Sequence, residues 1–502
     1  MFRWTPLIAA ALACSGSAKD GEPATDSPSP PTTSDTGWVP TTDSGTTVPG
    51  DARVDEVQNA YDHVVTVQRV PGTAAAVAVG CDAGDDEQLL WEFPSGDVPL
   101  VLVGLLGDTP YDCTLVDLGS DEHTPFSVRM RANDAPTATV ERHPTLAPSS
   151  EPYLLVNTNE QCLDALTPTL RLYDLDGRPR WAHHLEFDVN LATEARYHGD
   201  GLVVWGGGYT DRFALQYLQL DHTVLETLGA EVAPDAIHFH HDGKLLDDGT
   251  ELMLAETYNT DGNTTWLGWR AIGRGGSWSG ELDSQVLFDA GLLPPGASDE
   301  DAYHANWVDL VDGVLYVSQC FTDEILALDP TTGALHWRIG PGPDSLKLVD
   351  AAGAPLAADA WPQCQHGLEV IGDQLLVYDN GRYPDRDFSR AMSLQVDPSA
   401  GTAEVEWVYA EPEWFDNAMG DIDDLGAGRV LIHMAHVECW GLFPDQTTAV
   451  ELDTASQQVM WRMAFDDPYV ASYRAERVDA CDAIPHATYC PGVAERLGEL
   501  GL

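Results

Sequence analysis

Between residues 150 and 466 the chain repeats one pattern of apolar and polar positions. Short apolar runs, typical of β-strands, are followed by an Asp, a polar turn and a Trp in the next strand. Clear copies run over 173–181, 328–337, 396–407 and 452–461. The Trp residues that close them lie 156, 70 and 54 positions apart, so the first gap has room for two weaker copies, near Asp221 and Trp278. The spacing predicts six units of about 50 residues.

Turn residues separate these strands, and no helical pattern lies between them. The repeat therefore predicts an all-β fold, with a six-bladed β-propeller over residues 150–466. A pair of β-sandwiches is the structural alternative. The innermost strands of a propeller line a central channel, so polar residues that open successive units are expected to converge there.

A separate run of short strands precedes the repeat, over residues 53–147, and includes apolar stretches at 65–70 and 75–80. Residues 105–115 resemble a corner of fibronectin type III modules, in which a Tyr after a tight turn, here Tyr111, bonds back to the backbone. We therefore expect a small fibronectin type III-like β-sandwich that acts as a spacer. Residues 467–502 follow the repeat as a C-terminal tail.

The N-terminus has the pattern of an export signal. Residues 1–14 hold a short apolar run that ends in Ala11-Leu12-Ala13-Cys14, which resembles a bacterial lipoprotein signal with Cys14 as the lipid-bearing residue. An ordinary cleaved secretory signal is the alternative. Residues 15–51, rich in Ser, Thr, Pro and Asp, predict a disordered tether. The expected location is periplasmic or at the cell surface, with the lipid as the one membrane contact.

Charge and cysteine content narrow the function classes. The chain has 25 Lys and Arg against 81 Asp and Glu, a net charge of −56, so it should repel nucleic-acid phosphates. Eight of its nine Cys remain once Cys14 is set aside, and an even number in an exported chain indicates disulfides. Cys81 and Cys113 are placed to bridge neighbouring strands, while the full connectivity is not readable from the sequence.

Three of the predicted units open with histidine. The segments are His240-His241-Asp242, His304-Ala305-Asn306 and Gln365-His366; further motifs are Trp337-Arg338-Ile339-Gly340, Asp379-Asn380-Gly381, Ser389-Arg390 and the 472–477 segment Ser-Tyr-Arg-Ala-Glu-Arg. In this order the motifs resemble the bacterial arylsulfotransferase family, whose members are six-bladed propellers. The resemblance covers roughly residues 150–480.

The resemblance implies transfer of a sulfuryl group from a phenolic sulfate ester to a phenol, with no metal and no diffusible cofactor. It makes His366 the nucleophile, through a transient sulfohistidine. It makes His304 the group that gives and takes the proton. His241 and Asn306 would hold the sulfuryl oxygens, and Arg390 would bind substrate. Strand register decides whether His240 or His241 faces the channel; we expect His241, which immediately precedes Asp242 as in the family.

One departure from the family lies beside the expected site. Where the family has Ser-x-Arg, this chain has Ser318-Gln319-Cys320, so the guanidinium that holds the sulfate is missing. The candidates to replace it are Arg338, Arg386 and Arg390. Cys320 and Cys364 both fall near His366, and a disulfide between adjacent blades is favoured over free thiols.

Two other function classes remain. A non-catalytic, membrane-tethered propeller that binds or scaffolds is supported by the departure at Cys320. A metal or quinone enzyme is the other: the three histidines would form a metal site supported by Asp242, whereas quinone-dependent dehydrogenases need eight blades and this chain has room for six. Calcium in an Asp-rich turn at 421–424 would be unspecific.

Overall fold

The structure is a computed structural model that describes residues 54–502 with gaps at 62, 70–74, 85–86, 97–98, 133–134, 160–168, 185–193, 200, 208–213, 229–235, 247–249, 259–264, 274–276, 284–303, 383–384, 413, 417, 436–445 and 469. The predicted signal (1–14) and tether (15–51), with Cys14, lie outside the described residues, as do Cys162 and Cys439. All of the described residues belong to one compact unit, Ala52–Leu502.

The first strands form two small antiparallel sheets, with orders β1-β2-β5 and β4-β3-β6-β7. The strands are β1 Val54–Tyr61, β2 Val64–Arg69, β3 Val77–Asp82, β4 Gln88–Phe93, β5 Leu100–Val103, β6 Pro110–Asp117, β7 His123–Arg129 and β8 Ala138–Arg142. The Cys81–Cys113 disulfide joins directly opposed residues of β3 and β6. The backbone N–H of Leu106 donates to the Tyr111 hydroxyl at 2.8 Å, which is the corner bond expected there. That these sheets form a fibronectin type III-like module stays a prediction.

The remaining strands of the described residues lie between Tyr153 and Val478. They are β9 Tyr153–Asn159, β10 Thr169–Asp174, β11 Pro179–His184, β12 Glu194–Tyr197, β13 Leu202–Gly207, β14 Ala214–Gln219, β15 Val224–Leu228, β16 Ala236–Leu245, β17 Thr250–Tyr258, β18 Thr265–Gly273, β19 Ser277–Asp283, β20 Ala305–Val311, β21 Val314–Gln319, β22 Glu324–Leu328, β23 Leu335–Ile339, β24 Lys347–Val349, β25 Leu368–Ile371, β26 Gln374–Asp379, β27 Arg390–Asp397, β28 Thr402–Tyr409, β29 Asp421–Gly426, β30 Arg429–Met434, β31 Thr448–Asp453, β32 Gln458–Phe465 and β33 Ala471–Val478.

Within the described residues these strands make six sheets of four or five strands. Their orders are β11-β10-β9-β33, β12-β13-β14-β15, β16-β17-β18-β19, β20-β21-β22-β23, β24-β28-β27-β26-β25 and β29-β30-β31-β32-β8. One strand at the end of each sheet contacts the matching strand of the next, in the closed series β33, β12, β16, β20, β25, β29 and back to β33. The all-β class and a propeller-like arrangement are confirmed. That the sheets are six propeller blades stays a prediction, because connections such as 284–303 lie outside the described residues.

The Asp and Trp of the repeat each have a structural role. Asp174 accepts backbone hydrogen bonds at Oδ1 from Asp176 (2.9 Å) and Arg178 (3.0 Å), so its side chain shapes the turn between β10 and β11. Trp181 is fully buried, and its indole N–H donates at 2.7 Å to the carbonyl of Leu220 in the neighbouring sheet. The Asp closes the turn within a sheet, and the Trp joins that sheet to the next.

Two strands pair outside the segments that the sequence predicted for them. β8 lies within the 53–147 range assigned to the sandwich, yet it pairs with β32 as the outermost strand of the last sheet. β33 lies within the 467–502 tail, yet it pairs with β9 as an innermost strand. Each of these two strands pairs with a sheet edge that would otherwise be exposed, and its partner strand is remote in sequence. No local pattern in the sequence indicates such a pairing.

The C-terminal residues pack against the N-terminal sheets. Helix α1, Val493–Leu500, buries Leu497 and Leu500 against Ala78, Leu90 and Val116. A disulfide between Cys481 and Cys490 closes the loop before this helix. In the described part of the chain, no helix is long and apolar enough to cross a membrane.

Candidate active site

His366 lies just before β25, and its imidazole is held from one side. Nδ1 is 2.9 Å from Oδ1 of Asn380 and 3.1 Å from the carbonyl oxygen of Cys364. The backbone N–H of His366 donates to the carbonyl of Tyr378 at 3.2 Å, and only 3% of the residue is exposed. The residue predicted to be the nucleophile is therefore buried and oriented.

Asn380 decides which nitrogen of His366 carries the proton. Its Nδ2 donates to the carbonyl oxygens of Asp416 (3.0 Å) and Met419 (2.8 Å), so Oδ1 is the amide atom that faces His366. Oδ1 and the Cys364 carbonyl are both acceptors, so Nδ1 must be the protonated nitrogen. Nε2 then holds the lone pair, and it makes no hydrogen bond to any residue that the structure describes.

The surroundings also keep His366 uncharged. Burial, together with the neighbouring His304, lowers the pKa of His366 from 6.5 to about 3, although the hydrogen bonds with Asn380 and Cys364 raise it. At neutral pH the side chain is a neutral imidazole with its Nε2 lone pair available. That is the form in which histidine acts as a nucleophile.

Two more imidazoles meet beside His366. His241 lies at a bulge of β16 and His304 directly precedes β20, and both have a positive φ, 62° and 46°. Their ring centroids are 4.7 Å apart, at an interplanar angle of 83°. The structure therefore brings His241, His304 and His366 together from three sheets. The side chain of His240 lies outside the described residues.

Asn306 places an unpaired amide in this cluster. It is the extra residue of a bulge between β20 and β21, and it is fully buried. Neither Oδ1 nor Nδ2 has a hydrogen-bond partner among the described residues. A buried amide without partners is costly, which makes this amide a candidate to bond a ligand.

Arg474 of β33 ties the histidine-bearing segments together. Its guanidinium donates at 2.5 Å to Oδ1 of Asp242, and at 3.1 and 3.4 Å to the carbonyl oxygens of Asn306 and His366. Arg474 belongs to the 472–477 motif, but the sequence alone predicted no role for it. Only its match to the motif could have pointed to it, because it lies 108 residues beyond His366.

The three arginines named as replacements for the missing guanidinium are each paired with a buried carboxylate. Nε of Arg390 donates at 2.7 Å to Oδ2 of Asp379, and Arg386 pairs with the same carboxylate. Arg338 lies 3.4 Å from Oε1 of Glu324. These are the contacts of buried structural ion pairs, and the substrate-binding role of Arg390 stays a prediction.

Cys320 and Cys364 form a disulfide between adjacent sheets, as the sequence analysis favoured. It joins the turn after β21 to the segment before β25. The backbone N–H of Cys320 donates at 3.1 Å to the carbonyl of His304, and the Cys364 carbonyl accepts from His366. The bridge thus fixes the backbone on both sides of the imidazole cluster, where the family has an arginine.

The calcium turn suggested at 421–424 is instead part of strand β29, because these residues pair with β30. Asp421 lies 3.9 Å from Nε of Arg474, and Asp423 lies 3.8 Å from the guanidinium of Arg196, so both acids have cationic neighbours from other strands. Among the described residues, no three His, Cys, Asp or Glu side chains come together in a way that could hold a metal ion.

A known protein family matches the part of the chain that carries two of the three clustered histidines. Residues 289–474 match the family model described as arylsulfotransferase (ASST). This segment, a little over a third of the chain, is similar to the arylsulfotransferase family. The matched segment contains His304, Asn306, His366 and Arg474, whereas His241 precedes it. No curated protein matches the chain.

Three solved structures illustrate how distant the structural similarities are. A nidogen/laminin complex shares 11% identity (66% of this chain, 99% of that one; TM-score 0.37). TolB from Acinetobacter baumannii shares 9% (74% and 80%; TM-score 0.38). A quinonprotein alcohol dehydrogenase-like protein from Bacteroides thetaiotaomicron shares 8% (84% and 98%; TM-score 0.33). Similarities this distant do not indicate a function.

Proposed function

We propose that the protein transfers a sulfuryl group from an aryl sulfate ester to a phenol, through a sulfohistidine at His366. The observation that carries the proposal is the fixed tautomer of that residue. Asn380 and the Cys364 carbonyl hold the proton on Nδ1, and burial keeps the ring neutral, so Nε2 is left as the nucleophile. The family match over residues 289–474 supplies the reaction class.

The reaction has two transfers at sulfur. In the first, the Nε2 lone pair of His366 bonds to sulfur, the S–O bond to the aryl group breaks, and the phenolate oxygen takes a proton from His304. In the second, the acceptor phenol gives its proton to His304 while its oxygen bonds to sulfur and the N–S bond breaks. A covalent intermediate replaces one difficult transfer by two easier ones.

Charge that builds on the sulfuryl oxygens needs donors that are already in place. The unpaired Nδ2 of Asn306 is one, and His241, whose ring lies against His304, is the second. Arg474 contributes positive charge and holds the His366 and Asn306 backbones, although Asp242 shares its guanidinium. We assign to Arg474 part of the role of the arginine that Cys320 replaces.

We propose that the six sheets are the blades of a propeller, with a fibronectin type III-like module before it. Three disulfides in the described residues fit an exported protein. Residues 1–14 and the tether 15–51 would attach it, through Cys14, to a membrane as a periplasmic or surface lipoprotein.

Turnover of 4-nitrophenyl sulfate by the purified full chain tests the proposal. With phenol as acceptor, we expect nitrophenolate release and a phenyl sulfate product. His366→Ala should reduce release by about 1,000-fold or more, because no other group replaces the nucleophile. Without phenol, the His366-containing peptide should gain the mass of one sulfuryl group. The matched control is His336→Ala, an exposed histidine of β23, which should leave turnover unchanged.

No release from folded protein across a panel of aryl sulfates would contradict the proposal. The second candidate, a propeller that binds or scaffolds without catalysis, would then be favoured by the absence of the family arginine at Cys320. Release that persists in the His366→Ala variant would assign the chemistry to another residue.

A further inference from the structure

Phe321 is an aromatic side chain left exposed directly beside the imidazole cluster. Among the described residues, the exposed large apolar side chains are Leu118, Val224, Leu225, Phe321 and Phe388. Phe321 is 38% exposed, and its ring stacks on that of His304 with centroids 4.7 Å apart and an interplanar angle of 17°. It is therefore in contact with the residue assigned to proton transfer.

The turn that carries Phe321 is fixed to its surroundings. Its neighbour Cys320 is bonded to Cys364 through the disulfide and donates a backbone hydrogen bond to His304. Two residues further on, Asp323 accepts from the backbone N–H of Cys364 at 2.9 Å and from Arg382 at 2.8 Å. The ring is thus held in place before any ligand arrives, which lowers the entropic cost of stacking a ligand on it.

From this geometry we propose that Phe321 is the surface against which the aryl ring of donor and acceptor lies. A phenolic oxygen within hydrogen-bond reach of His304 places its own ring alongside the ring that already stacks on that histidine. Aromatic rings pair in offset or edge-to-face arrangements at centroid distances of about 4.5–7 Å, and Phe321 keeps 38% of its surface exposed for such a partner. The proposal rests on the proposed function and adds to it the residue that selects aryl over alkyl sulfates.

Phe388 offers a matched control. It is also a phenylalanine, it is 40% exposed, and its ring lies over the guanidinium of Arg386 at 5.4 Å rather than over a histidine. Arg386 in turn is paired with Asp379. A general effect of removing an exposed phenyl ring would appear equally at Phe388 and Phe321.

The experiment compares Phe321→Ala, Phe321→Leu, Phe321→Trp and Phe388→Ala in the full chain. Steady-state rates with 4-nitrophenyl sulfate and phenol give kcat and KM, and saturation-transfer NMR reports binding of the phenol ring without turnover. We expect KM to rise about 10-fold in the Ala and Leu variants, with kcat less affected. The Trp variant, which keeps an aromatic face, and Phe388→Ala should match the parent. Thermal unfolding verifies that each variant is folded.

Each outcome supports or overturns the proposal. If turnover and ring binding are the same in Phe321→Ala as in the parent, Phe321 is not the aryl surface and the proposed function stands. If phenol binds in a Phe321-dependent manner but neither the parent chain nor any variant transfers sulfuryl groups, the aryl site stands and the proposed function fails. If neither binding nor turnover is detected in the parent chain, both are overturned.

Discussion

At the scale of single residues, the site is built where the backbone adopts an uncommon conformation. His241, His304 and Cys364 all have positive φ, at 62°, 46° and 47°. Non-glycine residues seldom occupy this region, and they persist only where surrounding contacts compensate for the strain. His241 lies at a bulge of β16, His304 directly precedes β20, and Cys364 lies four residues before β25.

Substitution of Asn380 distinguishes an effect on the orientation of His366 from an effect on substrate binding. In Asn380→Ala, His366 loses the acceptor that fixes its proton on Nδ1, so the ring is free to rotate and to change tautomer. We expect kcat to fall about 10–100-fold, as when comparable supporting hydrogen bonds are removed. KM should change little because both amide atoms of Asn380 are already hydrogen-bonded within the protein. Gln374→Ala, an amide at the other end of β26, is the control and should behave like the parent.

The pH dependence of the rate tests whether His366 is held neutral. Because the pKa of His366 is about 3, the parent should lose almost no nucleophile by protonation between pH 8 and pH 5. A parent rate that falls through pH 6.5, and still does so in a His304→Gln variant, would mean that His366 itself titrates there and is not held neutral. An unchanged kcat in Asn380→Ala at all pH values would mean that Asn380 does not position the nucleophile.

At the scale of elements, strand existence follows from local pattern, whereas strand partners do not. The alternation of apolar residues and the Asp-turn-Trp repeat mark strands such as β10 and β22, because burial on a pleated surface requires that pattern. The pairing of β8 with β32 and of β33 with β9 joins residues more than 300 positions apart. Such pairing depends on which edges remain open after all the other strands have paired.

The two disulfides of the C-terminal half give a prediction at this scale. Replacing Cys320 and Cys364 by Ala removes a bridge that spans 44 residues, and replacing Cys481 and Cys490 removes one that spans 9. Loop entropy predicts destabilisation of about 4 and about 3 kcal/mol, respectively. Only the first pair should also lower kcat, because the Cys364 carbonyl orients His366.

Thermal unfolding and turnover of both double variants make the comparison. Dithiothreitol treatment of the parent should reproduce the first double variant in activity. An equal loss of kcat in the two variants would show that the Cys320–Cys364 bridge acts only through general stability. Unchanged stability after reduction would contradict its role as a link between sheets.

At the scale of the whole molecule, net charge opposes the substrate that the site is proposed to bind. A chain with charge −56 repels an aryl sulfate anion, and salt screens that repulsion over about 10 Å at 0.1 M. We therefore expect kcat/KM for 4-nitrophenyl sulfate to rise between 10 and 200 mM NaCl. KM for phenol, which is neutral, serves as the control and should stay constant. A fall in kcat/KM with salt would indicate that the positive field of Arg474 dominates instead.

The sequence by itself determined the all-β class, the repeat and the candidate histidines, because side-chain alternation, turn residues and ordered motifs are local properties. It also identified Cys320 and Cys364 as a candidate bridge. It left open the register of His240 and His241, and it favoured Arg390 as a substrate-binding residue.

The tertiary structure alone decided which groups meet. Which arginine contacts the histidine-bearing segments depends on the carboxylate with which each guanidinium pairs: Arg390 pairs with Asp379, whereas Arg474 pairs with Asp242, the residue after His241. The proton position on His366 likewise depends on Asn380, whose amide is oriented by two carbonyls 36 and 39 residues away. Long-range hydrogen bonds of this kind arise from packing, and no local pattern along the chain encodes them.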